Sequence, residues 1–348
     1  MSCFSRLNYI DIARGLGILT VIYSHSGGEK DLMSFIGGFF IPLFFILSGY
    51  TFRHDSGQSF AAFIMKRGRR LLLPYIIFGV FLMLAYHCIS PSDFLGLAYS
   101  RYCLYPLGTP DNVFFLRGGS PPLWFLTSMF TASMAVWWLF KSGRRWPYVA
   151  ALYVVLTFVL GCDIPGLGSV PILLPWSLDT AFLMALFMMI GRELARSSLL
   201  SCPVANATGT VAFLTGKSKI VWAILLVGYF LLCIVNGTPN LSVRIYARSF
   251  LLILVTGTIG SMLVMKLSQK LEHTFLKGIL ADIGRHSMVI FCIQMLLLRI
   301  QNQLLFDILH IPLNSFTLYA TSIFKTIVAA IIGMYVSKAL KRLMPSVF

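Results

Sequence analysis

Apolar residues run through this chain in long windows rather than in alternation. Mostly hydrophobic stretches recur at 7–25, 33–53, 71–90, 122–140, 147–162, 175–191, 220–236, 245–265, 286–306 and 317–337. A helix needs about 20 such residues to cross a hydrocarbon core ~30 Å thick, whereas half-buried strands would alternate at every second residue. The pattern predicts an all-α fold, a polytopic transmembrane helix bundle of about ten spans, forming a single domain over 1–348. Two connections exceed turn length. The first, 91–122, is rich in Pro, Gly and aromatic residues, and such a loop is suited to meet an external substrate; the second, 192–219, is polar and rich in Ser and Thr. No internal repeat of the kind common in transporters stands out.

Composition agrees with the windows. Of the 348 residues, 57% are hydrophobic and only 11% charged, against ~25% charged in soluble domains, so the chain cannot cover its surface with polar groups. Arg6 and Arg14 ahead of an apolar run resemble a signal peptide, but no small-residue cleavage site follows and Asp11 with Arg14 interrupts the run, so the first stretch is expected to remain as a span.

The formal charge of +16 is placed by topology rather than by nucleic acid. Twenty of the 28 Lys and Arg fall on alternate connections, among them Arg53, Lys66, Arg67, Arg69 and Arg70 before the third stretch and Lys338, Lys341 and Arg342 in the tail. Short loops rich in Lys and Arg stay in the cytoplasm. Both termini are therefore expected inside, as an even number of spans requires, in a multi-pass protein of the plasma (inner) membrane. The seven cysteines show neither CxxC nor metal-ligand spacing, so no metal site is expected; a disulfide among Cys88, Cys103 and Cys162 stays open.

The first stretch, DIARGLGILTVIYSH over 11–25, carries three ionisable residues. At 100° per residue Arg14 and His25 lie within about 20° of one another and about 16 Å apart along the axis, and Asp11 can neutralise Arg14 as an i,i+3 pair. Charge buried in hydrocarbon costs at least ~2.5–3.5 kcal/mol per group, so such residues pair or line cavities. Two readings remain: interfacial residues at the helix ends, or a site in which the His25 imidazole, of ordinary pKa near 6.5, serves as a base. Asp179 and Trp124 are further candidates for substrate contact, the first as a charge inside a span and the second as either belt or stacking residue. His54, His87, His273, His286 and His310 read as loop or interface residues.

RLNYIDIARGLGILTVIYSH resembles the opening of the integral-membrane acyltransferase-3 family, whose first helix carries Asp-x-x-Arg, then ten residues, then His. IPLFFILSGYTF (41–52), FIMKRGRRLLLPY (63–75), PLWFLTSMF (122–130) and IGRHSMVIFCIQ (283–294) are similar to later family blocks in the same order. The chain departs from the family at Gln294, where the last block usually ends on His, and it resembles a stand-alone transmembrane version of the sugar or polysaccharide O-acetylases. The resemblance implies acyl transfer from acyl-CoA, acetyl-CoA above all, to a hydroxyl of a glycan or lipid-linked saccharide. It implies catalytic roles for His25, Arg14 and Asp11. Lys66, Arg67, Arg69 and Arg70 are either plain topology signal or, as guanidinium groups suited to phosphate, the donor site. A cytoplasm-facing acyltransferase acting on a small molecule would share these motifs, and a transporter or flippase is the other alternative.

Overall fold

The computed structural model describes residues 8–28, 30–52, 57–105, 112–114, 121–161, 172–197, 219–312 and 314–345. Much of the 91–122 and 192–219 connections, and Cys162, lie outside the described residues. Among those described there is no β-strand, only the isolated bridges Cys103–Phe114 and Asn240–Ile245, and no disulfide involves Cys88 or Cys103.

Each hydrophobic window forms a helix, with three departures in detail. The window 33–53 is two helices, α1 being Asn8–His25, α2 Lys30–Gly37 and α3 Phe40–Tyr50. The break falls at Gly37-Gly38, where helix propensity is lowest. Next, α4 spans Phe60–Ala85 and so starts well before the apolar run, with the Ser59 side chain accepting from the Ala62 N–H at 3.2 Å. Lys66 to Arg70 are therefore helical, not part of a loop. Good helix formers such as Lys and Arg continue a helix regardless of hydropathy. In the 91–122 connection, α5 (Pro91–Tyr99) opens with a capping box between Ser90 and Asp93.

The remaining helices are α6 (Trp124–Lys141), α7 (Trp146–Gly161), α8 (Leu178–Arg196), α9 (Lys219–Asn236), α10 (Phe250–Leu271), α11 (Lys277–Arg285), α12 (Ser287–Asn302) and α13 (Ser315–Leu343). Among the described residues five segments are long and apolar enough to cross a membrane: Leu32–Tyr50, Phe60–Ala85, Phe250–Leu271, Ser287–Ile308 and Ser315–Leu343. The stretches Trp146–Leu160 and Ile220–Asn236 are apolar but shorter.

The interior is built from α1, α3, α6 and α8, whose Ile18, Leu43, Phe45, Leu126 and Phe187 are buried. Gly49 of α3 lies so close to α8 that a Cβ there would meet the Met188 carbonyl oxygen at 1.8 Å. Small residues allow such approach where lipid supplies no hydrophobic drive to pack helices. The outward faces of α4, α9 and α13 expose residues such as Phe81, Leu231 and Phe324, the surface expected of helices solvated by acyl chains.

Candidate functional site

The foot of α1 is fixed by backbone contact with α11. A Cβ on Gly284 would lie 1.8 Å from the Asp11 carbonyl oxygen, and one on Gly15 would lie 2.2 Å from that of Leu280. This contact sets the place of Arg14, which is part-exposed and donates to Asp11 Oδ1 at 3.3 Å while Asp11 is buried. The pairing leaves Asp11 to orient the guanidinium and leaves Arg14 accessible on its other edge.

That edge faces a cavity of about 520 Å³, within the usual range for small-molecule sites. Its walls come from α1, α3, α4, α6 and the α11–α12 junction with α13. Arg14, Lys66, Arg67, Arg70, Arg285 and Lys341 line it, with His286, Ser48, Gln58 and a floor of Phe44, Phe125 and Met129. The described lining residues include no carboxylate, so six cationic side chains face one chamber. Concave walls of one sign focus the field and select anions. On α4, Arg67 lies over the Phe52 ring at 5.3 Å and the Phe63 ring at 5.7 Å, which orients its planar fork. Pro74, four residues after Arg70 in the same helix, has no N–H, so the Arg70 carbonyl loses its intrahelical partner just above the cluster.

His286, at the α11–α12 junction, reads in sequence as a loop or interface residue, yet it is the histidine among the described lining residues of the chamber. Its Nδ1 pairs with Ser337 Oγ at 2.8 Å and its Nε2 stands 3.6 Å from Asp282 Oδ1. Asp282 also accepts from Arg285 at 3.1 Å and from Lys338 at 2.5 Å. Burial, and then the positive charge of Lys341, hold the His286 imidazole below its ordinary pKa. The sequence signal was present in IGRHSM, where His, Arg and Ser gather at a glycine, but a hydropathy window treats that block only as the edge of a span.

His25 lies at the other end of α1, exposed, outside the chamber lining and without a hydrogen bond among the described residues. The next residue anchors this end. Lys325 of α13, 1% exposed, donates to the Ser26 carbonyl at 2.6 Å and to Asn302 Oδ1 at 2.9 Å. Ser322 adds a 3.2 Å bond to the same carbonyl. One ammonium thus holds the ends of α1 and α12 level. Counting down by 1.5 Å per residue puts Arg14 about 16 Å below His25, at the level of Ile290 on α12, and α12 lines the chamber around that level with Ser287, Met288, Val289 and Phe291. Both helices rise from the cationic chamber to the His25 end.

The structure thus brings Arg14, Lys66, Arg67 and Arg70 together and places Asp11 behind Arg14. It leaves Arg69 exposed outside the chamber. Asp179 is fully buried in a separate ion network, paired with Arg101 and lying 3.8 Å from Arg244. Arg101 also donates to Leu174 and Ser242 carbonyls, so the network ties three connections together. Trp124 is buried at the start of α6 and does not line the chamber, whereas its neighbours Phe125 and Leu126 do. Gln294 is fully buried, and neither atom of its amide finds a partner among the described residues.

A family model described as an acyltransferase domain matches residues 7–337, nearly the whole chain. No curated protein and no solved structure matches it.

Proposed function

Because the chain belongs to the integral-membrane acyltransferase-3 family, we propose that it is an O-acetyltransferase that moves an acetyl group from cytoplasmic acetyl-CoA to a hydroxyl of a glycan or lipid-linked saccharide. The observation that carries this reading is the chamber that gathers Arg14 with Lys66, Arg67 and Arg70 at the foot of the helix whose other end bears His25. Acyl-CoA is a thioester on a long arm with several phosphate charges at its far end. Guanidinium groups bind phosphate bidentately, and the rise of about 16 Å from Arg14 to His25 suits an extended arm.

In this reading ten spans place both termini in the cytoplasm of a plasma-membrane protein, and the donor enters from that side. Lys66, Arg67 and Arg70 hold its phosphates, and Arg14, oriented by Asp11, guides the arm upward along α1. At the outer end the acceptor oxygen attacks the thioester carbonyl as His25 takes the hydroxyl proton. Collapse of the tetrahedral adduct breaks the C–S bond, and the imidazolium returns the proton to the departing thiolate. An acetyl-imidazole relay would use the same residue in two steps. His25 fits the base better than His286, whose two ring nitrogens face Ser337 and Asp282.

The test is reconstitution in sealed vesicles of known orientation, with acetyl-CoA and a membrane-impermeant saccharide acceptor supplied on chosen sides and product mass read by spectrometry. A gain of one acetyl group with donor on the side of the termini and acceptor opposite supports transmembrane transfer. Product only when both share the side of the termini would overturn it in favour of a cytoplasm-facing enzyme.

A further inference from the structure

The chamber has two basic walls, and the donor reading above uses only one. Lys66, Arg67 and Arg70 project from α4, while Arg285 and Lys341 reach it from the α11–α12 junction and from α13. The second wall is held in place by its own bonds. Asp282 binds Arg285 on its own helix and Lys338 across to α13, and His286 binds Ser337 across the same gap. Lys341 stands three and four residues beyond Lys338 and Ser337, on the face of α13 that these bonds turn toward the chamber.

Coenzyme A carries phosphate in two places, a diphosphate that bears the pantetheine arm and a 3′-monoester on the far side of the same ribose. The arm must leave along α1, past Arg14, so the diphosphate belongs with Arg14 and the α4 wall. The 3′-phosphate then points away from the arm. We propose that Lys341 and Arg285 form a 3′-phosphate subsite that makes the protein discriminate coenzyme A from its 3′-dephospho form. The inference rests on the acyl-CoA reading and adds to it a reason for the second wall.

Binding of CoA and of 3′-dephospho-CoA is measured with purified protein in nanodiscs, beside turnover of the two acetylated donors. Wild type is expected to favour CoA roughly tenfold or more, the worth of one or two charge-assisted contacts. Lys341→Gln should bring that ratio close to one, while Lys341→Arg, which keeps the charge, should retain most of it. Arg70→Gln should weaken both ligands by a similar factor and keep the ratio. Melting curves establish that each variant folds. Equal binding of the two ligands by wild type, or full discrimination by folded Lys341→Gln, overturns the subsite. The two levels separate cleanly: discrimination in binding without acetyl transfer sinks the donor reading but supports the subsite, and transfer without discrimination does the reverse.

Discussion

The contact between α1 and α11 offers the sharpest test of how packing positions the chamber. In Gly284→Ala the new Cβ would start 1.8 Å from the Asp11 carbonyl oxygen and 2.8 Å from the Gly15 nitrogen, where ordinary contact begins at 3.4 Å. Both obstacles are backbone, so no rotamer change relieves them, and the helices must part by about 1.5 Å. Overpacking of this kind typically costs ~1–3 kcal/mol. The shift also separates Arg14 from the α11–α12 wall, and a misplacement of ~1 Å at a positioning group can cost about 10²-fold in rate. Gly278→Ala is the matched control, because it lies on the same helix and a Cβ there meets nothing within 4 Å. Alanine should there add up to ~1 kcal/mol through helix propensity. The assay is a melting curve with acetyl-CoA turnover for both variants in one detergent. Gly284→Ala with wild-type melting and turnover would refute the argument, as would equal losses in the two variants.

Other outcomes follow from the same geometry. His25→Ala should insert and fold while losing ~10²–10⁴ in turnover; near-normal turnover by the purified variant would remove His25 from the chemistry. Arg70→Gln should raise the donor KM with little change in kcat, because phosphate contacts act on ground and transition states alike, and Arg69→Gln, outside the chamber, should raise it less; the reverse order would contradict the assignment. His286 has a folded pKa below its unfolded one, so its contribution to stability is present at neutral pH and is lost as pH falls from about 6.5 toward the folded value. Relative to wild type, His286→Gln should therefore lose less melting temperature between pH 7 and pH 5, and an identical loss would show that the imidazole does not titrate there. Asp179→Asn strips the buried Arg101 of its carboxylate partner and should cost ~3–5 kcal/mol, visible in the melting curve before any kinetic change.

What could be read from the sequence and what could not divide along a physical line. Hydrophobic windows and helical spacing are local, so the helices and the Arg14–His25 stripe were legible in the order of residues. The start of α4 at Phe60 was not, because Lys and Arg lower hydropathy without lowering helix propensity. Partnership is not local at all. Asp179 could be recognised as a charge within a span, but its partners Arg101 and Arg244 lie 78 and 65 residues away. Only the fold tells a carboxylate that binds substrate from one that closes an ion network. His286 shows the converse, since only the packing of α11 and α13 turns an unremarkable helix end into a wall of the chamber.

The surroundings of the two ends of α1 explain why an ion-bearing first helix can pack in this order. A cation at the foot of α1 is tolerable because Asp11 answers it and its other edge opens on the chamber rather than on lipid. At the head, the buried Lys325 ammonium is directed to the Ser26 carbonyl and Asn302, and among the described residues no hydrogen bond competes for the ring nitrogens of the neighbouring His25. A base must keep one nitrogen unoccupied to accept a proton, and an anion site must keep its cations facing an open space. On the proposed reading the helix meets both demands, with Arg14 where the cavity is and the His25 imidazole beside an end that Lys325 pins through Ser26.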